Sequence, residues 1–189
     1  MPVEIRRVET VYRGYVTLMV ATLAMEDGST FTREIEDHGR AVAVLPYDPL
    51  RRCALMVRLP RAPAAWADGP PELTEAPAGM VEDETAEATA RREALEEAGV
   101  RLGALEPVAS PFASPGVSTE RIQLFLAPYA AADRVAPGGG HAHEHEHITV
   151  VEAGLDELWR RVEADDILDM KTLVLLLALR LRRPELFEA

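Results

Sequence analysis

The residues best suited to chemistry crowd into one stretch, 78–100, which reads AGMVEDETAEATARREALEEAGV. Glu93 and Glu97 are four apart, so on a helix they share a face one turn apart, and Glu96 lies beside them. Three carboxylates on one patch repel each other unless something cationic sits there. Arg92 can pair with Glu96 at four-residue spacing, and hard divalent cations such as Mg²⁺ bind through carboxylates together with substrate phosphates. The plain alternative is a solvated acidic helix face, the usual fate of a charge run.

Three further groups of residues invite chemistry. Arg58 and Arg61 leave an apolar run and suit contact with phosphate or carboxylate, or simply flank a strand at the surface. Ser114-Pro115-Gly116 precedes a strand, which is also ordinary turn chemistry. Residues 138–151 combine three glycines, alternate histidines, and Glu144 and Glu146. Two residues apart in an extended segment, these glutamates point the same way. The histidines fit a soft-metal or zinc site only weakly, because no cysteine ligand or second histidine cluster accompanies them. A polar loop tip before a strand is the plainer reading.

The elements that must position these groups follow from pattern. Ala86, Ala88, Ala90, Ala94, Leu95 and Ala98 favour helix, and Gly99 is a natural stop. Asp83, Glu84 and Thr85 supply capping groups and negative charge at the helix start. Residues 3–36 read as β: Tyr15 to Leu23 alternates, Asp27-Gly28 signals a hairpin turn, and Phe31 to Ile35 suits a return strand. Ala41–Leu45 and Cys53–Val57 read as buried strands joined by a turn, Leu105–Ala109 as a weaker strand, and Arg121–Tyr129 as another. Leu155–Glu163 reads as an amphipathic helix and Lys171–Leu181 as a mostly buried one. Pro60–Pro71 and Pro137–Gly140 read as loops.

Composition bounds the function. The 189 residues suffice for a real core, and a net charge of −12, from 32 acidic and 20 basic residues, argues against non-specific nucleic-acid binding. The single cysteine, Cys53, allows no internal disulfide and suits a reducing cytoplasm. The start is not a signal peptide, and the longest apolar run, Leu173–Leu179, is too short to span a bilayer, so no membrane partner is expected.

Taken together, Gly79, Arg92, Glu93, Ala94, Glu96, Glu97, Gly99 and Val100 resemble the Nudix hydrolase signature, Gly-x5-Glu-x7-Arg-Glu-(apolar)-x-Glu-Glu-x-Gly-(apolar). One residue is missing between Gly79 and Arg92, so the early glutamate of the pattern falls on Thr85, or on Glu84 if the loop is shortened. The resemblance extends to the strand pair, Glu75-Ala76-Pro77-Ala78-Gly79, Ser-Pro-Gly with Thr119-Glu120, the Gly-rich loop and Asp169-Met170-Lys171-Thr172. It is similar to the ADP-ribose and sugar-nucleotide pyrophosphatase branch, most of all to the GDP-mannose hydrolases.

The resemblance implies an α/β fold, an αβα sandwich on a mixed sheet over 39–189. An N-terminal antiparallel strand region, 1–38, would precede it and be exchanged in a homodimer. It implies Mg²⁺, with Mn²⁺ as the alternative, held by the Ala78 carbonyl, Glu93, Glu97 and Glu146. Glu96, with Arg92 beside it, joins the catalytic set as a further or water-mediated ligand. Glu144 is the general base, although Glu144 and Glu146 are interchangeable in these roles. Arg61, Glu120, Lys171, Ser114 and Gly116 fall at substrate-contacting positions. The implied substrate is a nucleoside-diphosphate sugar; the alternatives are another nucleoside diphosphate derivative, or a non-catalytic ligand-sensing domain. Where the family shows Arg-Gln-(aromatic)-Arg, this chain has Arg58-Leu59-Pro60-Arg61, which removes the amide and the aromatic ring.

Overall fold

The computed structural model describes residues 3–140 and 147–188. The chain divides into two compact units: Met1–Arg40 with Ser110–Ile122, and Ala41–Ala109 with Gln123–Ala189.

The first unit is built on a three-stranded antiparallel sheet, β1 (Glu4–Arg13), β2 (Thr17–Ala24) and β3 (Thr30–Asp37), in that order. The β2–β3 hairpin turns at Asp27-Gly28 as its residues dictate: Gly28 takes φ 82°, and Asp27 Oδ1 accepts from the Ser29 N–H at 2.9 Å. The strand pair read from the sequence is extended here by β1, which pairs with β2 yet is exposed along its whole length. Segment 110–122 joins this unit through backbone bonds on Glu36, whose N–H donates to Val117 O at 2.8 Å and whose carbonyl accepts from Thr119 N–H at 2.9 Å.

The second unit holds a seven-stranded sheet. Its strands are β4 (Arg40–Asp48), β5 (Cys53–Pro60), β6 (Glu72–Glu75), β7 (Ala78–Met80), β8 (Glu106–Ala109), β9 (Arg121–Pro128) and β10 (Thr149–Gly154). The path runs β10-β5-β4-β9-β8, with β6 on β5 and β7 on β4. Tyr129 N–H donates to Tyr47 O at 2.9 Å, which sets the C-terminal ends of β9 and β4 side by side and makes the sheet mixed. Helices α1 (Ala62–Trp66), α2 (Ala86–Ala98), α3 (Leu155–Glu163) and α4 (Met170–Arg182) complete the unit. Helix α1 falls in the Pro-rich stretch expected to be loop; Pro63 sits in its first turn, where a missing N–H costs nothing.

Strand alternation divides the core into two layers. Val42, Val44, Leu55, Phe125 and Ala127 pack with Ala90, Ala94 and Ala98 of α2. Those alanines let the helix lie close to the sheet. The intervening residues Ala43, Leu45, Ala54, Met56, Leu124 and Leu126 are equally buried and face the other way. Both faces of the sheet are therefore covered, which is why these strands read as near-continuous apolar runs. Leu155 and Leu158 of α3, and Leu175, Leu176 and Leu179 of α4, add their own buried faces. Among the described residues no helix is long and apolar enough to cross a membrane.

Candidate active site

The site grows from the join between β7 and α2. Strand β7 is short and held by β4, with Ala78 opposite Ala43 and Gly79 opposite Val42. The chain then turns through 81–85 and enters α2 at Thr85, whose extended backbone and side chain cap the helix by accepting from the Ala88 N–H at 3.2 Å. Gly99 ends the helix in the left-handed conformation, φ 69°, as a glycine there should.

This geometry carries α2's glutamates back to β7. Glu97 is 5% exposed, and its Oε2 accepts the Ala78 N–H at 2.9 Å. A buried carboxylate is costly unless bonded, so this contact fixes both partners. Glu93 presses against Gly79: a Cβ at residue 79 would lie 1.9 Å from Glu93 Oε1. Glycine is needed there for close approach rather than for unusual dihedrals.

Arg92 organises the rest. Its Nε donates to Glu84 Oε1 at 2.8 Å, its Nη1 to Glu96 Oε2 at 2.8 Å, and its Nη2 lies 2.9 Å from Glu93 Oε1. The bond to Glu84, then the neighbouring charges, push the guanidinium pKa up. Of the two candidates for the early acidic position, Glu84, eight before Arg92, reaches the arginine, whereas Thr85 caps the helix. The residue missing from the strict spacing lies in the loop ahead of Glu84.

Three carboxylates, Glu84, Glu93 and Glu96, share the Arg92 guanidinium, and Glu97 stands one turn beyond Glu93; such hard oxygen donors suit a divalent cation of the Mg²⁺ type. Glu93 and Glu97 both border Ala78-Gly79, so two side chains and a backbone carbonyl are at hand. Among the described residues, no three acidic, histidine or cysteine side chains form a ready metal cluster. A complete shell would need more than these two helix glutamates.

A second focus lies three residues upstream of Ala78. Glu75, 2% exposed, accepts Arg61 Nε at 2.7 Å and Nη2 at 2.8 Å, a bidentate pair. Lys171 Nζ also bonds Glu75, and donates to Asp169 Oδ1 at 2.8 Å. Burial alone would raise the Glu75 pKa. The Arg61 bonds and the charges of Lys171 and Arg61 outweigh it and hold the carboxyl below its usual range. Arg61 and Lys171, singled out separately in the sequence, thus share one buried carboxylate.

The glycine run closes on the end of α2. Gly139 N–H donates to Glu97 O at 2.8 Å and Gly140 N–H to Glu96 O at 3.0 Å, satisfying carbonyls that a helix end leaves open. Gly138, φ 73°, could carry no side chain, since its Cβ would meet Glu97 O at 2.5 Å. Glu144 and Glu146, with the alternate histidines up to His145, lie outside the described residues. Ser114, Gly116 and Glu120 belong to the unit that holds the N-terminal sheet. There Ser114 O accepts from Val117 and Ser118 N–H at 3.0 and 2.8 Å, and Glu120 Oε1 lies 3.4 Å from His38 Nδ1.

Sequence reasoning passed over Glu75, Asp169 and Thr172 as site residues. Their only local signal is position: Glu75 opens the stretch leading to Gly79, and Asp169 stands where a helix cap should.

The NUDIX domain model matches residues 37–171, which include both foci. A GDP-mannose pyrophosphatase of Cronobacter sakazakii is 40% identical over 164 residues, 85% of this chain and 84% of that protein. One from an Enterobacter species is 33% identical over 146 residues, 76% of this chain and 75% of that protein. One from Escherichia coli is 32% identical over 169 residues, 86% and 87% respectively. Among solved structures, the crystal structure of an ADP compounds hydrolase superposes with a TM-score of 0.78 over 98% of this chain and 96% of that one; at 18% identity, this likeness is one of fold.

Proposed function

The chain belongs to the NUDIX family, and on that premise we propose that it is a metal-dependent pyrophosphohydrolase of a nucleoside-diphosphate sugar, of the GDP-mannose or ADP-ribose type. The products are a nucleoside monophosphate and a sugar phosphate. The observation that carries this reading is the joint placement of Glu93 and Glu97 against Ala78-Gly79, with Arg92 bracing Glu84, Glu93 and Glu96. The relatives' names point to GDP-mannose as the first substrate to try. An intact set of helix glutamates favours catalysis over ligand sensing alone.

Glu93, Glu97 and the Ala78 carbonyl would hold Mg²⁺ or Mn²⁺, with Glu146 as the remaining ligand. When bound, such an ion neutralises pyrophosphate oxygens and makes water a better nucleophile. The chain's own groups do the positioning. The Ala78 N–H holds the Glu97 carboxylate in place, and Arg92 keeps Glu93 and Glu96 from swinging into solvent. Glu144 is proposed as the base that takes the proton of the attacking water. The P–O–P bridge breaks as the new P–O bond forms. Arg61 and Lys171 meet the outer phosphate or sugar, and Ser114, Gly116 and Glu120 are further substrate contacts.

The protein is proposed to act in the cytoplasm as a homodimer that exchanges its N-terminal strands. The uncovered length of β1 supports that assembly, and light scattering on the purified chain would test it. For activity, the test is phosphate release, with phosphatase added, from GDP-mannose, ADP-ribose, ADP-glucose, diadenosine polyphosphate and NADH, in Mg²⁺ and in EDTA. Glu93→Ala and Glu97→Ala should each lose at least about 100-fold in kcat. Wild-type rates in both would refute the reading.

A further inference from the structure

We propose that Glu75 is a positioning residue: it sets the orientation of Arg61 and Lys171 as a clamp for an anionic phosphate group, and the clamp works through orientation rather than net charge. This rests on the hydrolase reading above.

The geometry shows a carboxylate behind its cations. Glu75 is buried to 2% while the Arg61 side chain keeps 43% exposed. Side-on bonding through Nε and Nη2 fixes the plane of the guanidinium and turns its outer edge to solvent. The Lys171 ammonium is fixed in turn by two carboxylates, Glu75 and Asp169.

The arrangement closes into a ring. Asp169 Oδ2 caps α4 by accepting the Thr172 N–H at 3.0 Å, and the Thr172 hydroxyl oxygen accepts the Ala76 N–H at 2.7 Å. Residue 76 is therefore tied to 172, 172 to 169, 169 to 171, and 171 back to 75. The ring pins the start of α4 to the strand that runs on into Ala78. Two carboxylates balance two cations, so the group adds no net charge. Buried ion pairs seldom stabilise more than apolar packing of the same volume. A neutral, rigid set with one cation edge left to solvent is suited to presenting donors at fixed angles.

Removing the Glu75 charge separates orientation from attraction. Glu75→Gln makes the patch more positive; if attraction alone mattered, anions would bind more tightly. If orientation matters, the bidentate pair is lost and anions bind more weakly. Glu75→Asp keeps the charge but withdraws it by one methylene, so it probes geometry at constant charge.

The experiment uses the full chain with Mg²⁺. KM and kcat for GDP-mannose are measured for wild type, Glu75→Gln, Glu75→Asp, Arg61→Gln and the double variant Glu75→Gln/Arg61→Gln. Calorimetric binding of imidodiphosphate, a non-hydrolysable P–N–P anion, is measured beside them. We expect Glu75→Gln to raise KM and the imidodiphosphate Kd about tenfold, the worth of one charge-assisted hydrogen bond, with kcat changed less than about threefold. Glu75→Asp should raise both constants in the same direction, and the double variant should lose less than the sum of the two single losses, the remainder beyond Arg61→Gln reporting on Lys171. Equal or tighter imidodiphosphate binding by a cooperatively melting Glu75→Gln would overturn the proposal. So would a wild-type Glu75→Asp, additive losses in the double variant, or no imidodiphosphate binding by the wild type. Wild-type chain that binds imidodiphosphate but turns over no sugar nucleotide would instead sink the hydrolase reading and leave the clamp standing.

Discussion

Gly79→Ala should abolish most activity while sparing the fold. An added Cβ would stand 1.9 Å from Glu93 Oε1, 2.2 Å from its Cδ and 2.7 Å from its Cγ. To move from 1.9 Å to the 3.4 Å of an ordinary contact, the carboxylate must retreat by about 1.5 Å. The backbone imposes no penalty of its own, because Gly79 sits in a strand rather than among the positive-φ glycines. The Glu93 carboxylate can therefore swing away and give up its contact with Arg92, whose guanidinium keeps Glu84 and Glu96. Catalysis has no such freedom: a displacement of about 1 Å at a reacting centre costs about 100-fold. The expected result is a kcat for GDP-mannose down by about 100-fold or more, with a melting temperature within about 5 °C of wild type. Mg²⁺ should also raise the melting temperature of the wild type more than that of the variant, which reports on the proposed ligand set without turnover. Gly103→Ala, where a Cβ meets nothing within 4 Å, is the matched control. Activity within threefold of wild type, with the Mg²⁺ response intact, would refute the placement of Glu93 against β7.

Three further outcomes follow from the same geometry. Thr172→Val keeps the side-chain shape but strips the buried Ala76 N–H of its acceptor; urea denaturation should show a loss of about 1–3 kcal/mol. Gly99→Ala forces a left-handed residue and sets its Cβ 2.0 Å from the Ala136 carbonyl oxygen, a backbone atom that cannot rotate away. It should lower the melting temperature further than Gly79→Ala, as a thermal scan of both will show. Glu75, whose folded-state pKa is depressed, contributes stability that is fully present above the unfolded carboxyl value of 4.5 and is lost as pH falls through the lower folded value. Denaturation midpoints measured from neutrality down through pH 4 should therefore fall less steeply in Glu75→Gln than in wild type.

Much of helix α2 was legible in the sequence because it is decided locally. It runs Ala86–Ala98 between the Thr85 cap and the Gly99 stop, as its helix formers and capping groups predict, and α3 spans the Leu155–Glu163 read as an amphipathic helix. Capping, glycine stops and the shared face of Glu93 and Glu97 depend on residues within about a turn of one another. The buried runs of β4 and β5 were equally plain, since strands covered on both faces carry no polar alternation. The short helix α1 was hidden by the prolines around it. Strand β1 lay within the β reading of the N-terminus but showed no boundary of its own, because it buries nothing against its unit.

What the tertiary structure decided is which charges meet. Arg61 reaches Glu75 across 14 residues and Lys171 reaches it across 96, from three elements with no common local pattern. Glu84 rather than Thr85 meets Arg92 only because the turn before α2 folds back toward its second turn. Periodicity reports where a side chain points relative to its own element; it carries no record of which distant element will supply the opposite charge. That pairing exists only once β6, α4 and the junction of β5 with α1 that carries Arg61 pack into one unit, where burying Glu75 without Arg61 and Lys171 would be too costly to persist.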